Sequence, residues 1–305
     1  MSSNTTSSTD INSLSPYNYV PTEWVTITFL ALFGVSAGQA IWFKLWFLIP
    51  TAVLAGIGET IGWAGRFWST QNILNNNAYL MQITTTIISP TPLLAANFII
   101  FSRLVSLLGT QYSRLSPVWY SRIFLTCDIV ALVIQAAGGG IASSSNDLSV
   151  EKTGSNIMLA GIVFQLVALS VFSFLMAEYV IRFLNNRPLH SATLDSSSSS
   201  ASTLVRGRVW NMKQKLAMTG LVFSTLVLFI RGVYRTIELA DGWNGRIIST
   251  QVYFNVLDGA MVVLAMYTWN ILHPGLLLVD NSKDIISEDK YNDGTKGVMM
   301  RRSDV

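Results

Sequence analysis

Glu59 and Arg66 stand seven residues apart inside one apolar stretch, and Arg231, Arg235 and Glu238 stand at i, i+4 and i+7 inside another. Both spacings put the charges on one face of a helix. Arg235 and Glu238, three apart, are close enough to pair along it. Asp128 and Gln135 repeat the seven-residue spacing in a third stretch, while Gln82, Gln165, Gln251, Asn255 and Asp258 add polar groups to three more. A charge at the centre of a bilayer costs about 3 kcal/mol or more, so a chain keeps one there for packing or for function. The functional reading is a polar cavity: carboxylates suit an ammonium headgroup or a proton, arginines an anionic headgroup. The other reading is a network of interhelical salt bridges and amides that only holds a bundle together. Spacing alone does not separate the two.

The elements that must position these residues are seven apolar stretches: roughly Trp24–Phe43, Leu45–Arg66, Tyr79–Leu108, Trp119–Ser143, Ile157–Phe183, Lys215–Leu239 and Ile247–Leu272. Each is long enough for the roughly 20 residues a helix needs to cross the hydrocarbon core. Half of the 305 residues are apolar and only 12% are charged, a balance that excludes an ordinary soluble domain. The expected fold is an all-α polytopic membrane protein with seven transmembrane helices. Pro90 and Pro92 predict a kink in the third span, with freed backbone carbonyls that must be satisfied inside the bundle. The single cysteine, Cys127, rules out an intrachain disulfide.

Charge sets the expected orientation. With the N-terminus outside, Lys and Arg divide fifteen on the inner side to three on the outer, leaving Arg231 and Arg235 within a span. The positive-inside rule therefore predicts the N-terminus out and the C-terminus cytosolic. Arg66 is then expected at the outer interface and Glu59 deeper. Residues 1–23 form an extracellular tail carrying one glycosylation sequon at Asn4, and 24–276 form the membrane domain. A serine-rich loop at 185–211 and a polar tail at 277–305 are expected to be cytosolic and disordered. Two small-residue motifs, Gly34-x-x-x-Gly38 and Gly58-x-x-x-Gly62, predict close helix approach. Trp24, Trp42, Trp46, Trp63, Trp68, Trp119 and Trp243 read as an interfacial belt. His273-Pro274-Gly275 reads as the end of the seventh helix.

Several classes of function find no support. There is no Gly-rich phosphate loop, and the two histidines, His190 and His273, are too few for a metal-dependent hydrolase. The last span has no lysine for retinal. No cofactor, no metal and no nucleic-acid partner are expected; membrane lipids and an amphipathic ligand are, with a homo-oligomer left open. Seven spans with an outer N-terminus also suit a receptor or a sensor of lipids, although Arg103 is followed by Leu104-Val105 and not by a receptor-type signature.

The segment Glu59-Thr60-Ile61-Gly62-Trp63-Ala64-Gly65-Arg66 resembles the second-span signature of the fungal RTA-like family of lipid-translocating exporters. Four further blocks are similar in the same order. They are Ser89-Pro90 through Ala95-Ala96 to Arg103; Asp128 with Gln135 and Gly138-Gly139; Gly154 through Gly161 to Gln165; and Arg231 through Glu238, followed by Asp258 and His273-Pro274-Gly275. The resemblance covers about Tyr19–Leu276. It implies a seven-helix fungal protein, with the plasma membrane as its site, that handles amphipathic molecules such as sphingoid long-chain bases, aminosterols or porphyrins. Its implied translocation set is Glu59, Arg66, Asp128, Gln135, Gln165, Arg231, Arg235, Glu238 and Asp258. The chain departs from the family pattern at Trp63, at Gln251, where a glutamate is expected, and at Asn255, where a tyrosine is.

Overall fold

A computed structural model describes residues 15–17, 19–42, 49–72, 75–144, 147–189, 211–242, 245–272 and 274–277. The described residues form helices and turns and contain no strand. The helices are α1 (Glu23–Trp42), α2 (Leu54–Gln71, entered through a π-helical turn at Ile49–Val53), α3 (Asn76–Ile88) and α4 (Thr91–Leu108). Then come α5 (Pro117–Ser143), α6 (Leu148–Leu184), α7 (Met212–Asp241) and α8 (Gln251–Ile271). Among the described residues five helical stretches are long and apolar enough to cross a membrane: Asn76–Leu108, which joins α3 to α4, and the helices α5, α6, α7 and α8. Val133, Val167 and Phe174 turn outward with more than half their surface exposed, as a lipid-facing wall requires.

The break between α3 and α4 falls at the predicted prolines. Pro90 has no N–H to give back to the carbonyl four residues earlier, so the ladder stops and Thr86 O is released. Ser89 caps the end of α3 with both its backbone N–H and its hydroxyl on Thr85 O. The fifth stretch is longer than its apolar run. Asp147 accepts from Ser149 N at 3.0 Å and starts α6 nine residues before Ile157. That hydrogen bond holds the Asp147 carboxyl below the usual carboxylate range. The last stretch starts later, because Gly245–Ser249 form turns and α8 begins at Gln251.

Lipid tails are as apolar as leucine, so association within the bundle depends on close fit. Gly138 and Gly154 supply it between α5 and α6: a Cβ on either would lie 2.4 Å from backbone nitrogen of the facing helix. The Gly58 motif works as predicted, with Gly58 against Ser89 and Gly62 against Thr85 and Thr86. The Gly34 motif does not among the described residues, where neither Gly34 nor Gly38 has a neighbour within 4 Å of its Cβ position. Trp63 is also not in an interfacial belt. It is wholly buried, stacked on Phe29 at 4.2 Å and fitted over Gly259. Trp24, Trp68 and Trp119 do face outward. The sequon at Asn4, the serine run and the C-terminal tail lie outside the described residues, as do His190, His273 and the side chains of Trp42, Trp46 and Trp243.

Candidate functional site

The freed carbonyl of Thr86 is where the charged centre begins. Arg231 of α7 donates Nη2–H to it, and Arg235, one turn on, donates Nη2–H to Thr86 Oγ1 at 2.8 Å. Both guanidiniums turn to Asp258 of α8. Arg235 grips it as a fork, Nε to Oδ1 and Nη2 to Oδ2, each at 2.8 Å. Arg231 Nε lies 2.8 Å from the same Oδ1 as an ion pair without hydrogen-bond geometry. The predicted pair within α7 forms as well: Arg235 Nη1 meets Glu238 Oε2 at 2.7 Å, and Tyr234 gives its hydroxyl to Glu238 Oε1 at 2.8 Å. Asp258 reaches inward from a π-helical segment, Phe254–Ala260, a local widening that recurs at functional sites.

Glu59 completes this centre differently. It is wholly buried and in electrostatic range of Arg231, Arg235 and Asp258, yet neither carboxylate oxygen has a hydrogen-bond partner in the protein. Trp63, one turn along α2, brings its indole N–H near the same carboxylate without making a good hydrogen bond. Desolvating a carboxylate without pairing it is costly, so this is the least satisfied charge of the centre.

Arg66 is only 1% exposed, because residues of the N-terminal segment fold over it. Its Nη2–H donates to Tyr19 Oη at 2.8 Å, and its guanidinium lies 4.6–5.7 Å from the rings of Phe254, Tyr17, Tyr19 and Trp63. Among the described residues Arg66 makes no ion pair, and aromatic faces take the place of a counter-charge. Phe254 also faces Arg235 at 5.2 Å, so one ring separates the two cations. Gln251, the site of an absent glutamate, accepts from Thr22 Oγ1 at 3.0 Å and ties α8 to the start of α1.

Asp128, Gln135 and Gln165 are brought together in a second group. Gln165 of α6 donates to Asp128 Oδ1 at 2.9 Å and to Thr91 Oγ1 at 3.3 Å, and accepts from Gln135 at 2.9 Å. A cavity of about 30 Å³ lies between the groups, walled by Gln135 and Gln165 on one side and by Arg231 and Arg235 on the other. That is room for a water molecule or two. On the outer side of α7 lies a larger space of about 400 Å³, lined by Ile230, Val233, Tyr234 and Ile237 of α7, Tyr253 and Leu257 of α8, and Arg246 between the helices. It is almost entirely apolar. Tyr234 joins the two regions, its ring on the groove and its hydroxyl on Glu238.

Thus eight of the nine predicted site residues are buried and Gln165 is half-buried; seven of the nine are at the two facing groups, with Glu59 beside the centre and Arg66 in its aromatic cage. Thr86, Phe254, Tyr234, Tyr17 and Tyr19 were not anticipated. Only Thr86 had a readable signal, its place four residues before Pro90.

The described residues thus hold five stretches fit to cross a membrane, a paired charge centre and an apolar side groove. The family model for RTA1 like protein matches residues 52–281, and the chain belongs to that family. It is 30% identical to the sphingoid long-chain base transporter RSB1 of Saccharomyces cerevisiae (strain ATCC 204508 / S288c), over 90% of this chain and 77% of the relative. It is 26% identical to protoporphyrin uptake protein 1 of the same strain, over 70% of this chain and 65% of that one. To protein RTA1 it is 24% identical, over 71% and 62%. No solved structure matches.

Proposed function

We propose that this protein moves amphipathic, lipid-like molecules with a basic headgroup, sphingoid long-chain bases foremost, from one leaflet of the membrane to the other. The chain would cross seven times with its N-terminus outside, sit in the plasma membrane, and perform no covalent chemistry. The observation that carries this reading is Glu59: a buried carboxylate with both oxygens unpartnered, beside a fixed set of paired charges. Such a group gains most from a ligand that brings an ammonium. The groove across Tyr234 suits the other half of an amphiphile, since an alkyl chain loses nothing by lying against Ile230, Val233 and Ile237 at the lipid boundary. The transporter relative supports the same substrate class.

The test is efflux of a labelled long-chain base from fungal cells that lack or overproduce the protein. Efflux should rise with protein level. Ile237→Trp, which fills the groove, should lower it for long chains more than for short ones. Unchanged flux with an altered transcriptional response to the same lipid would overturn transport in favour of a sensor.

A further inference from the structure

We propose that Asp128 is a proton-binding site of this protein, set behind the Gln165 wall of the small cavity. Asp128 belongs to the expected translocation set, but binding of an ammonium at Glu59 gives it no task. Its carboxyl is 2% exposed, at the middle of a helix of the membrane bundle. One oxygen accepts from the Gln165 amide and the other, Oδ2, has no partner. Gln135 Oε1, which lies on the cavity wall, has none either. The group is therefore short of donors, and it is short of positive charge.

That shortage holds on every helix packed against α5, namely α3, α4 and α6. Helix α3 has no Lys, Arg, Asp or Glu, and Tyr79 is its titratable group. On α4 the one charge is Arg103, twelve residues and so about 18 Å from Thr91. On α6, Glu151 and Lys152 in one direction and Glu178 and Arg182 in the other lie about 20 Å or more along the helix from Gln165. On α5 itself Arg122 is nearly two turns away, and Cys127 and Tyr120 are the other titratable groups. Among the described residues no Lys or Arg forms an ion pair with Asp128. Across the cavity, Arg231 and Arg235 are already engaged by Asp258 and Glu238.

A lone carboxylate in such a place is stabilised by taking up a proton rather than by keeping its charge. The proton adds to Oδ2 and turns an orphaned acceptor into a donor, for a cavity water or for a neighbouring amide oxygen. Its loss would leave a bare negative charge on the Gln165 amide, and Gln165 lines the same cavity as Arg231 and Arg235. Protonation at Asp128 would in this way bias the charge centre. That consequence, though not the site itself, rests on the translocation reading.

Infrared spectroscopy of the full-length protein in lipid nanodiscs, carrying isotope-labelled aspartate, tests the site without any transported substrate. At neutral pH, where exposed carboxyls are ionised, a carboxylic-acid C=O band that shifts with the label is expected. It should persist in Glu59→Gln and be missing in Asp128→Asn. Asp128→Glu, which keeps an acid there but an unlabelled one, should lose only the label sensitivity and decides the matter if the Asn variant does not fold. Absence of a label-sensitive acid band in the wild-type protein, or its survival in Asp128→Glu, would overturn the proposal.

Discussion

Asn97 and Glu59 are both wholly buried polar side chains of the same bundle, and their neighbours treat them in opposite ways. Asn97 Oδ1 accepts the Trp269 indole N–H at 2.8 Å, and its Nδ2 donates to Ser224 and Thr225 at 3.1 and 3.3 Å. It joins α4, α7 and α8 with no polar atom left over. Glu59 has no partner for either oxygen, and the Asp128 group across the cavity leaves two more acceptors unmet. A fully satisfied network rigidifies and specifies packing, whereas unmet buried groups persist where something outside the chain meets them. The contrast sets a closed network in the one region against unmet acceptors in the other.

Arg235 belongs to both categories, and substituting it should have the largest effect. It compensates Asp258 and Glu238 together, so Arg235→Leu leaves Asp258 with Arg231 alone and Glu238 with only the Tyr234 hydroxyl, at a cost of about 3–5 kcal/mol. Loss of folded protein in detergent, seen by size exclusion, is the expected outcome; a well-folded Arg235→Leu protein would show that the centre holds little of the fold. Asn97→Ala comes next. It orphans an indole N–H and two hydroxyls and should cost about 1–3 kcal/mol in thermal unfolding, with flux per folded molecule unchanged. Reduced flux at full stability would erase the distinction drawn above. Glu59→Gln is the converse probe. It removes no hydrogen bond the protein makes, so expression and melting should hold while long-chain base efflux falls at least about tenfold, equivalent to about 1.4 kcal/mol. Wild-type efflux from that variant would make Glu59 another scaffold residue.

Much of this was legible before any coordinates. Charge spacing on α7 anticipated the Arg235–Glu238 pair, and two prolines anticipated both the break after α3 and the need for donors to its carbonyls. Which faces meet was not legible, because a helical period fixes angle around one axis and says nothing of the neighbouring axis. Asp258 could be placed on a span, but the π-helical turn that swings it toward α7 has no sequence mark. Trp63 was misread for a related reason: a tryptophan near a helix end suits an interface equally well as a core, and only Gly259 opposite, nearly two hundred residues away, makes room for it inside. The cage of Arg66 was not legible, because it comes in part from Tyr17 and Tyr19, in a segment whose composition reads as a tail.

That segment gives the smallest effect and a pH signature. Tyr17 Oη lies 3.1 Å from Ser69 Oγ, and its ring meets Tyr79 edge-on at 4.7 Å. Burial pushes its phenol from 10.0 up to about 12, with Arg66 pulling the other way. When the segment is released, Tyr17 ionises at its ordinary value; while docked it holds its proton. The released form thus sheds a proton first, and docking must weaken as pH rises from 10 toward about 12, being fully present below that window. Tyr17→Phe removes the ionisation and one hydrogen bond worth about 0.5–1.5 kcal/mol. It should therefore dock slightly less well at neutral pH yet lose less on going alkaline, by hydrogen exchange of residues near Arg66. Equal alkaline release in both proteins would mean that Tyr17 is not the group that ties this cover to the charge centre.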